Sequence, residues 1–117
     1  MEFGEVELRA LLRDCRLIGS IKMHTGQITL EQDTQMLEKQ CFQSPAVAPG
    51  EAKRGTNDPG YYSYTLGKLE ILKLRADAMK KEGKAFNLTK FHDQFMNSGL
   101  VPVSIIRKEM GVEGSSL

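Results

Sequence analysis

Between residues 6 and 24 the apolar side chains Leu8, Leu11, Leu12, Cys15, Ile18 and Met23 recur at helical spacings, with Arg9, Arg13, Asp14 and Arg16 between them. This pattern predicts one amphipathic helix that stops near Gly26. Thr29 followed by Gln32 has the form of a capping box, in which each side chain accepts from the other residue's backbone N–H. Leu30, Met36 and Leu37 then carry a second helix to about Cys41. The two helices should form a hairpin. Residues 44–60 hold all but one of the prolines and several glycines, so a short helical turn over 51–54 is the most that segment should allow.

Asp58-Pro59-Gly60 reads as the start signal of a long helix over residues 61–81. Tyr62, Leu66, Leu69, Leu72, Ala76 and Met79 form its predicted core stripe, and Gly83 ends it. Asn87 is placed to cap a short helix over 88–96 that stops at Asn97-Ser98-Gly99, and Pro102 suits the first position of a final helix through Met110. No internal repeat and no strand alternation is visible. The expected class is therefore all-α, with about five helices in residues 1–111 and a flexible tail over 112–117.

Length and charge narrow the function classes. A chain of 117 residues suits one domain that buries roughly two-thirds of what its unfolded form exposes. The net charge of +1 gives no electrostatic reason to expect nucleic acid or an anionic membrane. The first residues mix acids and arginines with apolar side chains, unlike a signal peptide, and no stretch approaches the roughly twenty apolar residues of a membrane span. These features lead us to expect a soluble protein, cytoplasmic by default. Cys15 and Cys41 lack CxxC spacing and fall in separate helices, so buried, reduced thiols are expected in preference to a disulfide.

His24 and His92 are the only histidines. Neither belongs to an HExxH helix, and the cysteines lack ligand spacing, so no metal site is expected in this chain. No nucleophile elbow and no Cys-His pairing is visible either. All three tyrosines sit in DPGYYSYTLGK. Projected at 100° per residue, Tyr61, Tyr64, Lys68 and Arg75 fall within roughly 60° of one another, and Tyr62 joins the leucine stripe. Two phenols and two cations on one face suit either a solvated surface or a site where negative charge develops, since phenols donate hydrogen bonds without carrying charge. His24 in KMHTG suits a helix C-terminus, and His92 a structural position between Phe91 and Phe95.

The strings KMHTGQITLEQ, DPGYYSYTLGKLEILKLR and FNLTKFHDQFMNSGLVP, in this order, resemble the C-terminal segment of a bacterial family of unknown function, number 885, over about residues 11–106. The resemblance implies a helical subdomain of a gluzincin-like HExxH zinc peptidase, akin to the thimet-oligopeptidase and angiotensin-converting-enzyme groups. YYSY is similar to a YYGY-type stretch whose tyrosines face the zinc and the substrate carbonyl. By that likeness Tyr64 is the oxyanion donor and Tyr61 a substrate-positioning partner. Lys68 would bind a substrate carboxylate, and His24 of the HTG element would contact substrate. Ser20 stands where family members often carry an aspartate. The HExxH helix and its downstream glutamate are not in this chain, so zinc is expected only in the full-length family, and the chain alone should not hydrolyse peptides. Its expected partners are a missing N-terminal HExxH half, peptide substrate once complemented, or a second copy through uncovered apolar surface.

Two other readings compete. Residues 88–111 have the outline of a helix-turn-helix with Arg107 and Lys108 on the second helix, although few polar side chains there suit base edges. A non-catalytic helical scaffold or regulatory remnant is the other.

Overall fold

The computed structural model describes residues 4–58, 60–115 and 117. Pro59 of the expected start signal, Ser116 of the tail and residues 1–3 lie outside the described residues. Six α-helices and one 3₁₀ turn account for the regular structure, and no strand occurs among the described residues. The chain divides into two compact units, residues 1–66 and 67–117.

In the first unit α1 (Glu5–His24), α2 (Leu30–Lys39) and α3 (Ala48–Asn57) pack against one another. The capping box forms as the sequence predicts. Thr29 Oγ1 accepts from Gln32 N at 3.2 Å, and Gln32 Oε1 accepts from Thr29 N at 2.9 Å. Gly26, at φ +70°, takes the left-handed conformation that turns α1 into α2. The core consists of Cys15, Leu37, Cys41, Ala48 and Ala52, flanked by Leu11, Leu12 and Met36.

Two expectations fail here for identifiable reasons. The expectation of reduced thiols is wrong, because Cys15 and Cys41 form a disulfide with their Cα atoms 6.5 Å apart. The hairpin returns Cys41, just past the end of α2, to the flank of α1, within the span a disulfide bridges. Residues 44–60 also hold a full ten-residue helix, α3, where a single turn was expected. Pro49 falls in its first turn, where no intrahelical N–H is required. Gly55 is needed for close approach, since a Cβ there would stand 3.1 Å from the Tyr61 ring and 3.2 Å from Met23 Cε.

Gly19 of α1 packs on Asp33 of α2 so closely that a Cβ would overlap the carboxylate. Asp33 is 1% exposed, and its Oδ1 has no hydrogen-bond partner among the described residues. Burial without a partner raises its pKa above the ordinary value.

The helix α4 (Ser63–Glu82) begins two residues later than the sequence suggests. Tyr61 and Tyr62 precede it, so helical projection does not place them. In the second unit, residues 67–82 of α4 are followed by a 3₁₀ turn (Gly83–Ala85), α5 (Leu88–Asn97) and α6 (Val103–Glu109). Asn87 caps α5 as expected, its Oδ1 accepting from Lys90 N at 2.9 Å. The core joins Leu74, Ala78, Phe91, Ile106 and Val112.

The predicted α4 stripe is thus the wrong face: Leu69, Leu72 and Met79 are exposed. Apolar residues surround α4, with Leu69, Ile71, Leu72 and Leu74 in sequence, so spacing alone could not select the face that α5 and α6 cover. Arg107 is 3% exposed and donates to Asp77 Oδ2 at 2.9 Å and to the Glu113 carbonyl at 3.1 Å. Lys73 donates to the same carboxylate oxygen at 2.7 Å. Hydrogen bonds from Lys73 and then Arg107 hold the Asp77 pKa below its ordinary value.

Two stability outcomes follow from the first unit. Closing a 26-residue separation is worth about 3.5 kcal/mol in the chain-entropy relation. Reduction should therefore lower the urea midpoint substantially, whereas equal midpoints with and without reductant would contradict the buried bridge. Asp33, with its folded pKa raised, favours the protonated native state, so its cost is absent below the unfolded pKa and grows as pH rises through the folded one. Asp33→Asn should therefore gain stability over the native chain as pH rises from about 4 towards 7. A pH-independent difference in unfolding midpoint would contradict an unpaired buried carboxyl.

Candidate functional site

The three tyrosines have three different environments, all within the first unit. Tyr61 is 4% exposed, and its hydroxyl donates towards the Glu51 carbonyl at 2.9 Å and Glu51 Oε2 at 3.0 Å. Arg16 grips the same carboxylate through Nε and Nη2 at 3.0 and 3.1 Å. The guanidinium carbons of Arg16 and Arg54 lie 5.3 and 5.6 Å from the Tyr61 ring centre. Burial raises the Glu51 pKa, but the hydrogen bonds from Arg16 and Tyr61 and the charges of Arg16 and Arg54 outweigh it and leave a net lowering. The Tyr61 phenol is pushed upward by burial and by the Glu51 charge.

Tyr61 is therefore an internal strut joining α1, α3 and the approach to α4, and its hydroxyl is already engaged. The expectation that Tyr61 shares a helical face with Tyr64 is corrected, because α4 starts only at Ser63. The chain has not yet become helical at Tyr61.

Tyr64 is 65% exposed. Arg13 of α1 lies over its ring, 4.8 Å from the centre, and the next residue, Thr65, donates to Asp14 Oδ1 at 3.0 Å. Adjacent residues on α1 thus hold adjacent residues in the first turn of α4. The Tyr64 hydroxyl has no partner among the described residues, so an external acceptor can reach it.

His24 caps α1 as helix geometry suggests. Its Nδ1 lies 2.8 Å from the Ser20 carbonyl, which can only accept, so Nδ1 carries the proton. Ser20, Ile21, His24, Thr25 and Tyr62 line a recess of about 420 Å³. Tyr62, expected in the core, is only half-buried. It precedes α4, so helical spacing does not carry it into the core stripe. The doubled tyrosine just ahead of a helix start was the available signal.

Lys68 belongs to the second unit, is exposed and has no ion-pair partner among the described residues. His92 is exposed, its ring centre 5.9 Å from that of its neighbour Phe91. On α6, Arg107 is consumed by Asp77 and is not free to meet a phosphate, which removes one of the two cations a helix-turn-helix would use. Among the described residues no three His, Cys, Asp or Glu side chains group to hold a metal ion, and no helix is long and apolar enough to cross a membrane.

Substituting each phenol separates these roles. Tyr61→Phe removes a buried hydrogen bond to Glu51, whose carboxylate keeps Arg16, and should cost about 1 kcal/mol, whereas Tyr64→Phe should stay within about 0.5 kcal/mol. Denaturant unfolding of the two variants reads the difference, and equal losses would contradict the strut.

Residues 3–110 match the family described as "Bacterial protein of unknown function (DUF885)". No curated protein and no solved structure matches the chain.

Proposed function

The chain belongs to this bacterial family of unknown function, and on that premise we propose that it is the substrate-holding lobe of a zinc-dependent peptidase. The observation that carries the reading is Tyr64, whose exposed, unpartnered phenol sits beneath the Arg13 guanidinium. Arg13 stacked on the ring holds the phenol in place while its hydroxyl stays open to an external acceptor. In this role it donates to a peptide carbonyl oxygen as that oxygen becomes negative. His24 contacts the bound peptide, and Lys68, exposed and without an ion-pair partner, attracts a substrate carboxylate.

The described residues do not fit a zinc ion: both cysteines are spent in the disulfide, and no three His, Cys, Asp or Glu side chains among them group to hold a metal. Zinc and its ligands would have to come from residues outside this sequence, so the chain alone is inactive in this reading. That remainder of the fold would also cover Leu69, Leu72 and Met79. Without it these side chains favour self-association.

The test is co-expression with an HExxH-bearing half. Peptidase activity should appear, and Tyr64→Phe should lower turnover by roughly 10²-fold with bound zinc unchanged. Full turnover in Tyr64→Phe would contradict the donor role.

A further inference from the structure

His24 and Tyr62 line the recess at the C-terminal end of α1, and each carries a polar atom that no described residue uses. With Nδ1 of His24 donating to the Ser20 carbonyl, Nε2 of the neutral ring is left as an acceptor. It has no hydrogen-bond partner among the described residues, and neither has the Tyr62 hydroxyl. Beside them lie the side chain of Ile21, half exposed, and the ring of Tyr62. Among the described residues no Asp, Glu, Lys or Arg lines the recess, so an ionic ligand would lose hydration there without a charged group to replace it.

One acceptor and one donor next to apolar surface are the complement of a peptide unit carrying an apolar side chain. We propose that this recess binds one apolar residue of an extended peptide. The residue's N–H donates to His24 Nε2, its carbonyl oxygen accepts from the Tyr62 hydroxyl, and its side chain lies against Ile21. Ser20 acts through His24 as a positioning residue: its carbonyl fixes the tautomer that turns Nε2 into the acceptor. The choice of peptide as ligand rests on the peptidase reading and deepens it by giving Tyr62 a role and the site a preference for an uncharged residue. Binding needs neither metal nor Tyr64, so it is measured on the chain by itself. A negative result here leaves the turnover test of Tyr64 standing, and failure of that test leaves this one standing.

The probe is N-acetyl-leucine N′-methylamide, titrated into the full chain and followed by NMR of the imidazole and tyrosine ring signals. His92, in the other unit, serves as the internal control. Saturable shifts are expected at His24 and Tyr62, with His92 unmoved. Tyr62→Phe keeps the ring and removes only the hydroxyl, so it should weaken binding by roughly 2- to 12-fold, the worth of one hydrogen bond. N-acetyl-glycine N′-methylamide, which lacks the side chain, should bind more weakly than the leucine probe. Absence of saturable shifts at His24, affinity in Tyr62→Phe equal to that of the native chain, or equal binding of the glycine probe would each overturn the proposal.

Discussion

The phenol of Tyr61, donated to Glu51 while Arg16 holds the same carboxylate from the other side, fixes where α4 can begin. Glu51 comes from α3 and Arg16 from α1, so one buried group ties two helices to the segment that enters a third. A charged pair at this depth survives only because its lone pairs and protons are taken up, and removing one member leaves the others stranded. With Tyr61 locked inward, Tyr62 is left to border the recess at the end of α1, and Tyr64 comes under Arg13. The proposed chemistry of the first unit depends on that ordering.

The disulfide acts on the same unit through a different term. It joins α1 to the residue just past α2, restricting the unfolded chain more than adding native contacts. Asp33 beneath Gly19 works against it, as a buried carboxyl without a partner for Oδ1. A packed alternative with an apolar side chain would be stable without that penalty, yet nothing in the described structure explains its presence. It lies one helix contact away from Ser20, whose carbonyl holds His24.

Much of the fold was legible in the sequence because local signals specified it. Thr29 with Gln32, Asn87 and Gly83 marked helix ends through hydrogen bonds and backbone conformations that involve only near neighbours, and each end lies where the signal put it. What was illegible depended on distant partners. Pro49 and Gly55 look like helix breakers until the first turn and the Tyr61 ring are seen to need them. Cys15 and Cys41 looked unrelated until the hairpin brought them together. Leu69 and Leu72 look like core until Leu74 and Ala78 are seen to face α5 and α6. The candidate site suffered from the same limit. Tyr61 and Tyr62 lie ahead of α4, where a projection at 100° per residue places no face, so their burial could not be read from spacing.

The separation of the three phenols into a buried strut, a recess wall and an exposed donor is the claim on which the functional account rests. Nitration of the native chain with tetranitromethane, with each tyrosine mapped by mass spectrometry, tests it most directly. Tyr64 should be modified first and Tyr62 more slowly, while Tyr61 stays unmodified until the chain unfolds. Nitration of Tyr61 at the rate of Tyr64 in the folded protein would contradict the account.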